Sequence, residues 1–203
     1  TQATFQALAT GAVDFVAKPS GHISLNMKDV GEELIAKVLA ASTAMLSKQD
    51  LLYEHPIYIP KGGNEIKKQP PEIVAIAAST GGPRALQYVL SELPGDFPLP
   101  IVVVQHMPQD FTPSFAKRLD AVSKLTVIEG YPKAPLRPGM AVIAPGGFHL
   151  LARRTVDGKL ICELSDLPPL LSVKPSANML FTSLADEVGG RVLGVILTGM
   201  GRD

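Results

Sequence analysis

The chain has 203 residues, 46% of them hydrophobic and 19% charged, with 19 basic side chains balancing 19 acidic ones. That composition excludes a chain too polar to fold, and the zero formal net charge leaves no broad basic field to attract nucleic acid or an anionic membrane. The lone Cys162 excludes an internal disulfide and fits a reducing compartment, so a cytoplasmic location is expected; no run approaches the roughly 20 apolar residues that span a bilayer.

Thr1 to Ala12 reads as a helix end, because Phe5, Leu8, Ala9 and Ala12 share a face and Gly11 can terminate it. The same residues lack the basic start and apolar run of a secretory leader. Val13 to Ala17 reads as a short buried strand closed by Lys18-Pro19. Val30 to Leu46 carries apolar residues at spacings of three and four, which predicts a helix with Asp29 as a candidate N-cap. A helix, a strand and a helix cannot enclose a core alone, so residues 1–48 are expected to be the tail of a domain whose first part lies upstream. Residues 49–71, with Pro56, Pro60, Gly62, Gly63 and Pro70 and a lysine-rich stretch, read as a linker.

From residue 72 the pattern changes to repeated strand and helix units. Strands are predicted at 73–77, 101–104, 125–129, 140–144, 149–154, 160–164 and 192–197, with 149–154 and 160–164 forming a hairpin turned at Asp157-Gly158. Helices are predicted at 84–93, 113–122 with Thr112 as a candidate cap, and 178–188. Strands alternating with helices imply an α/β fold: a doubly wound, mostly parallel sheet with helices on both faces. Sites in such sheets lie just past the carboxyl ends of the strands.

Polar clusters follow three of the apolar strands: Ser79-Thr80, Gln105-His106, and Thr198 to Asp203. A serine hydroxyl becomes a nucleophile when a base removes its proton, and an imidazole base needs a carboxylate to fix its tautomer. Ser79, His106 and Asp203 supply that set, each at a strand end. Each also has a plainer reading: a helix cap, a packed loop histidine, a solvated chain end. The glycines around Thr80 and Met200 free backbone N–H groups that can serve as an oxyanion hole, while core packing is the plainer role for the Met200 side chain. His149, after Ala144-Pro-Gly-Gly147, is read as packing or as a substrate contact. His22 and His55 carry no catalytic expectation, and no residues show a zinc-ligand spacing. Ser79 to Pro83 also has the look of a phosphate loop, but it lacks the lysine and the glycine spacing of the known ones.

These stretches resemble the bacterial chemotaxis protein-glutamate methylesterases, the CheB family. The resemblance rests on Ala75-Ile-Ala-Ala-Ser-Thr-Gly-Gly-Pro83, Gln105-His-Met-Pro108, Phe111-Thr112 with Ser114-Phe-Ala116, Ile143-Ala-Pro-Gly-Gly147 with His149, Lys174-Pro-Ser176, and Gly194-Val-Ile-Leu-Thr-Gly-Met-Gly201 with Asp203. It implies a serine hydrolase without a cofactor that removes methyl esters from glutamates of methyl-accepting chemotaxis receptors and also deamidates receptor glutamines. Ser79 would be the nucleophile, His106 the base and Asp203 the orienting acid, with the Met200 N–H in the oxyanion hole. Gly11 to Pro19 resembles the last strand of a phosphorylatable receiver domain, with Lys18 sensing the phosphoryl group donated by a histidine kinase.

Three departures stand out. Ala77 replaces a common glycine, Pro175-Ser-Ala-Asn178 replaces Pro-Ser-Val-Asp, and the family continues past Asp203 with a glycine-rich turn and a helix. The last predicts weak or no activity for the chain as it stands. The non-catalytic alternatives are a module that binds a receptor or phosphorylated partner on the same surface, and a nucleotide binder.

Overall fold

A computed structural model describes residues 2–18, 27–43 and 69–203. The catalytic-domain candidate begins with β1 (Ile73–Ala78), α3 (Gly82–Glu92), β2 (Ile101–Gln105) and α4 (Thr112–Val122), after two N-terminal helices, α1 (Gln2–Ala9) and α2 (Met27–Thr43). There follow β3 (Thr126–Glu129), β4 (Met140–Ile143), β5 (His149–Arg154), β6 (Leu160–Ser165), α5 (Ala177–Val188) and β7 (Val192–Ile196). Five strands form a parallel sheet in the order β3-β4-β2-β1-β7. β5 and β6 make a separate antiparallel hairpin with Gly158 at its turn, where φ is 83°.

β1, β2 and β4 are buried on both faces, whereas the edge strand β7 is largely exposed, and the strand residues sort between the two faces with a period of two. Val74, Ile76, Ala78, Val103 and Ile143 face α3 and α4, packing on Leu86, Leu90, Phe115 and Leu119. Ala75, Ala77, Val102, Val104 and Val142 face the other way, onto Leu180, Leu184 and Val188 of α5 and onto Leu150, Ala152, Leu160 and Cys162 of the hairpin. A fully buried leucine or phenylalanine of this kind stabilises the fold by about 1.5–3 kcal/mol. β-Branched residues dominate β2 because a central strand packed on both sides selects side chains that fit a pleated, apolar surface. Cys162 is buried in this layer, and burial pushes its thiol pKa up to about 12.

Strand order turns about β1, which has β2 on one side and β7 on the other. Register then decides what meets at the carboxyl edge. Ala78 lies opposite Gln105, and Ala77 opposite Ile196. The residues that follow are tied together by backbone bonds: His106 N–H to Ala78 O (3.0 Å), Leu197 N–H to Ala77 O (2.9 Å) and Ser79 N–H to Thr198 O (2.9 Å).

Three local expectations are corrected. Val13 to Ala17 is not a strand; it pairs with no strand among the described residues and runs irregularly, with Phe15 packed on Phe111 at 4.6 Å between ring centroids. Strand geometry needs a ladder partner to hold it. Thr112 does not cap α4, because Phe111 occupies the cap position. The Thr112 hydroxyl instead donates to Glu129 and accepts the Gly146 N–H at 3.0 Å, tying the start of α4 to the loop after β4. α2 begins at Met27, ahead of Asp29, so Asp29 lies inside the helix. The linker at 49–71 falls outside the described residues up to 68.

Candidate active site

Ser79 leaves β1 and turns at once into α3. The turn is made by Gly81, whose φ of 76° is natural for glycine and strained for other residues. Gly81 is also the α3 cap residue, and no side chain caps the helix, so the Ser79 hydroxyl is not consumed as an N-cap. A β-carbon at Gly82 would stand 1.9 Å from Gln105 Oε1 and 2.8 Å from the Ala78 β-carbon, so this helix start fits only without one.

His106 leaves β2 beside it. Its Nε2 lies 3.2 Å from Asp203 Oδ2, with the His106 side chain 16% exposed and the Asp203 side chain 2% exposed. The same carboxylate oxygen accepts the Ala177 N–H at 2.7 Å. Ala177 opens α5, so the Asp203 carboxylate sits at the positive end of a 12-residue helix. Helix dipole, N–H and imidazole thus converge on one buried carboxylate.

The 199–201 segment touches both other partners. A β-carbon at Gly199 would come 2.7 Å from the Ser79 β-carbon, and one at Gly201 would come 3.1 Å from His106 Cε1 and 2.9 Å from Asp203 Oδ1. The two glycines let the backbone lie against the serine and the imidazole.

Ser79, Thr80, His106, Met200, Gly201 and Asp203 line one cleft of about 470 Å³. Ser79 and His106 share that cleft without a hydrogen bond between them among the described residues. Met200 is 47% exposed, so its side chain is not a core contact. Neither the Thr80 nor the Met200 N–H donates to any described acceptor. The cleft is closed by two elements that the residue patterns did not point to: Glu33, Ala36 and Lys37 of α2, and Leu171 to Val173 of the loop before α5.

Gln105 was visible in the sequence only as the neighbour of His106. It is buried at 2% exposure, and its Nε2 donates to both Ser79 O and His106 O at 3.0 Å. One amide therefore braces the backbone of both residues. Its Oε1 is buried without a partner among the described residues, which costs about 1–3 kcal/mol for such a group.

The remaining candidates lie apart. His149 is fully buried, so it cannot touch a molecule in the cleft. Lys18 is exposed and lines no part of the cleft. His22 and His55 fall outside the described residues. Among the described residues, no helix is long and apolar enough to cross a membrane.

Fold and site together define a class: a doubly wound α/β domain that gathers a serine, a histidine and an aspartate in one cleft at the carboxyl edge of its sheet. Residues 74–203 match the family model described as CheB methylesterase, and the chain belongs to that family. It is 46% identical over 201 residues to the protein-glutamate methylesterase/protein-glutamine glutaminase of Geobacillus kaustophilus, covering 98% of this chain and 57% of that protein. The Pyrococcus horikoshii protein of the same name is 41% identical over 202 residues, with 99% of this chain and 55% of the relative covered. The chain thus spans little more than half the length of these relatives. The crystal structure of the Thermotoga maritima CheB methylesterase catalytic domain superposes with a TM-score of 0.63 at 43% identity, covering 66% of this chain and 71% of that one.

Proposed function

We propose that this chain carries protein-glutamate methylesterase activity, hydrolysing methyl esters of glutamate side chains on methyl-accepting chemotaxis receptors and deamidating receptor glutamines by the same chemistry. The observation that carries the proposal is the His106–Asp203 hydrogen bond, formed at strand ends whose neighbour delivers Ser79 into the same cleft.

In the proposed reaction the His106–Asp203 bond sets the tautomer of the ring. An Nε2–H donated to Asp203 leaves Nδ1 as the basic nitrogen of His106. That nitrogen takes the Ser79 proton as the hydroxyl oxygen attacks the ester carbonyl. The tetrahedral oxyanion is met by the Thr80 and Met200 N–H groups, which have no other acceptor among the described residues. The imidazolium returns its proton to the departing methanol. Water, deprotonated by His106, then releases the glutamate from the acyl-enzyme. Asp203 holds the ring and stabilises its charged form throughout.

Control by a phosphorylatable receiver domain, of which residues 1–48 would be the last part and Lys18 the phosphoryl-sensing lysine, fits the position of α2. Its Glu33, Ala36 and Lys37 form a wall of the cleft. Lys37 holds that wall to the segment before it, reaching Phe15 O at 2.8 Å, Asp14 at 3.5 Å and Glu33 at 2.8 Å.

The test is methanol release from methylated receptor membranes by the full-length protein and by its Ser79→Ala variant. Loss of release by several powers of ten is expected for the variant, and equal rates would end the proposal.

A further inference from the structure

We infer that His149 is a positioning residue for the reaction proposed above, holding the backbone donor that fixes Asp203. The inference rests on the esterase reading and adds a residue to it.

His149 opens β5 and is fully buried. Its Nδ1 accepts the Ser176 N–H at 3.1 Å, and its Nε2 meets Pro168 O at 3.1 Å. A carbonyl only accepts, so Nε2 carries the proton, and an N–H only donates, so Nδ1 is bare. The ring is neutral and both nitrogens are satisfied. Burying a polar ring here costs free energy unless both bonds form, and both are spent on one segment, 168–176.

That segment does two things at the cleft. Its middle, Leu171 to Val173, is part of the wall. Its end runs directly into Ala177, whose N–H donates to Asp203 Oδ2 at 2.7 Å. Ser176 and Ala177 therefore present consecutive N–H groups, one to His149 and the next to Asp203. Among the described residues the side chains bonded to this junction are those of His149 and Asp203: Ser176 makes no side-chain cap bond to α5, and its hydroxyl is buried without a partner. His149 sets the peptide that sets Asp203, and Asp203 sets His106.

Two substitutions divide the two bonds. His149→Asn keeps an acceptor where Nδ1 stands, facing Ser176, and gives up the bond to Pro168. His149→Gln keeps a donor reaching toward Pro168 and gives up the acceptor facing Ser176. Methyl ester hydrolysis per folded molecule is expected to fall about 10- to 100-fold in kcat for His149→Gln, the scale of a small misplacement at a reacting group, with KM little changed. His149→Asn is expected to retain most of the rate. Amide hydrogen exchange at Ala177 is expected to quicken in His149→Gln and to stay slow in His149→Asn. Equal kcat for the two variants, or unmoved Ala177 exchange in His149→Gln, would overturn the inference. The exchange measurement reads the brace without turnover, so the two failures are distinct. Failure of the brace leaves Ala177 exchange unmoved, whereas failure of the esterase reading leaves Ser79→Ala as active as the unaltered chain.

Discussion

Gly199→Ala is a small change with a large expected effect. An added β-carbon would lie 2.7 Å from the Ser79 β-carbon and 3.2 Å from the Ser79 nitrogen. Carbon atoms rest about 3.5–4.0 Å apart, so the serine and the 199 backbone must separate by roughly 1 Å. Neither side yields easily, because Ser79 N–H is bonded to Thr198 O at 2.9 Å and Ser79 O is held by Gln105. Gly199 does not lie in the left-handed region, so the effect comes from contact and not from backbone strain. Overpacking of this kind costs about 1–3 kcal/mol, and a displacement of ~1 Å at a reacting group costs about 100-fold in rate. The assay is kcat/KM for methyl ester hydrolysis together with Tm. Gly194→Ala is the control, since a β-carbon there, on β7 just upstream, meets nothing within 4 Å. Wild-type kcat/KM and Tm in Gly199→Ala would refute the reasoning.

Asp203→Asn keeps the shape of the side chain but removes the charge that both His106 and Ala177 address; a loss on the order of 10³–10⁴ in kcat is expected, and a loss under tenfold would count against the role. Gln105→Leu removes the brace on Ser79 and His106 together with the unpartnered Oε1. Activity is therefore expected to fall by at least tenfold while Tm moves by only a few degrees, and a loss of stability without loss of specific activity would reverse that reading. Cys162 is a buried thiol whose pKa lies near 12, against an ordinary 9.0, so the unfolded state loses its proton first as pH rises. Its contribution to stability is complete below pH 9.0 and declines from there toward about 12. Tm between pH 8 and 11 should fall more steeply for the unaltered chain than for Cys162→Ala, and aromatic disulfide reagents should label Cys162 at pH 8 only after unfolding.

The meeting of Ser79, His106 and Asp203 in one cleft was legible because each follows an apolar strand, and a parallel sheet must present such positions along one edge. The strand and helix order of residues 72–203 was legible for the same reason: runs such as Ile101 to Val104 have one comfortable place, a central strand buried on both faces. The strand expected at 13–17 failed because apolar residues alone do not make a strand; a partner must take its backbone bonds, and none among the described residues does. The Thr112 cap failed because the buried hydroxyl found stronger partners in Glu129 and Gly146.

Residue order by itself determined the groups available: a serine, a histidine and an aspartate just past strand ends, with glycines where the backbone comes close. Only the tertiary structure decided how they are held. The order β2-β1-β7 sets Ser79 beside His106 and Thr198, the N-terminus of α5 meets Asp203, and α2 walls the cleft. His106 and Asp203 are 97 residues apart along the chain, and Thr198 and Thr80 are 118 apart. Local patterns specify a residue's own conformation, whereas sheet register and helix packing specify its distant neighbours, and the supports of Asp203 and Ser79 are all distant neighbours.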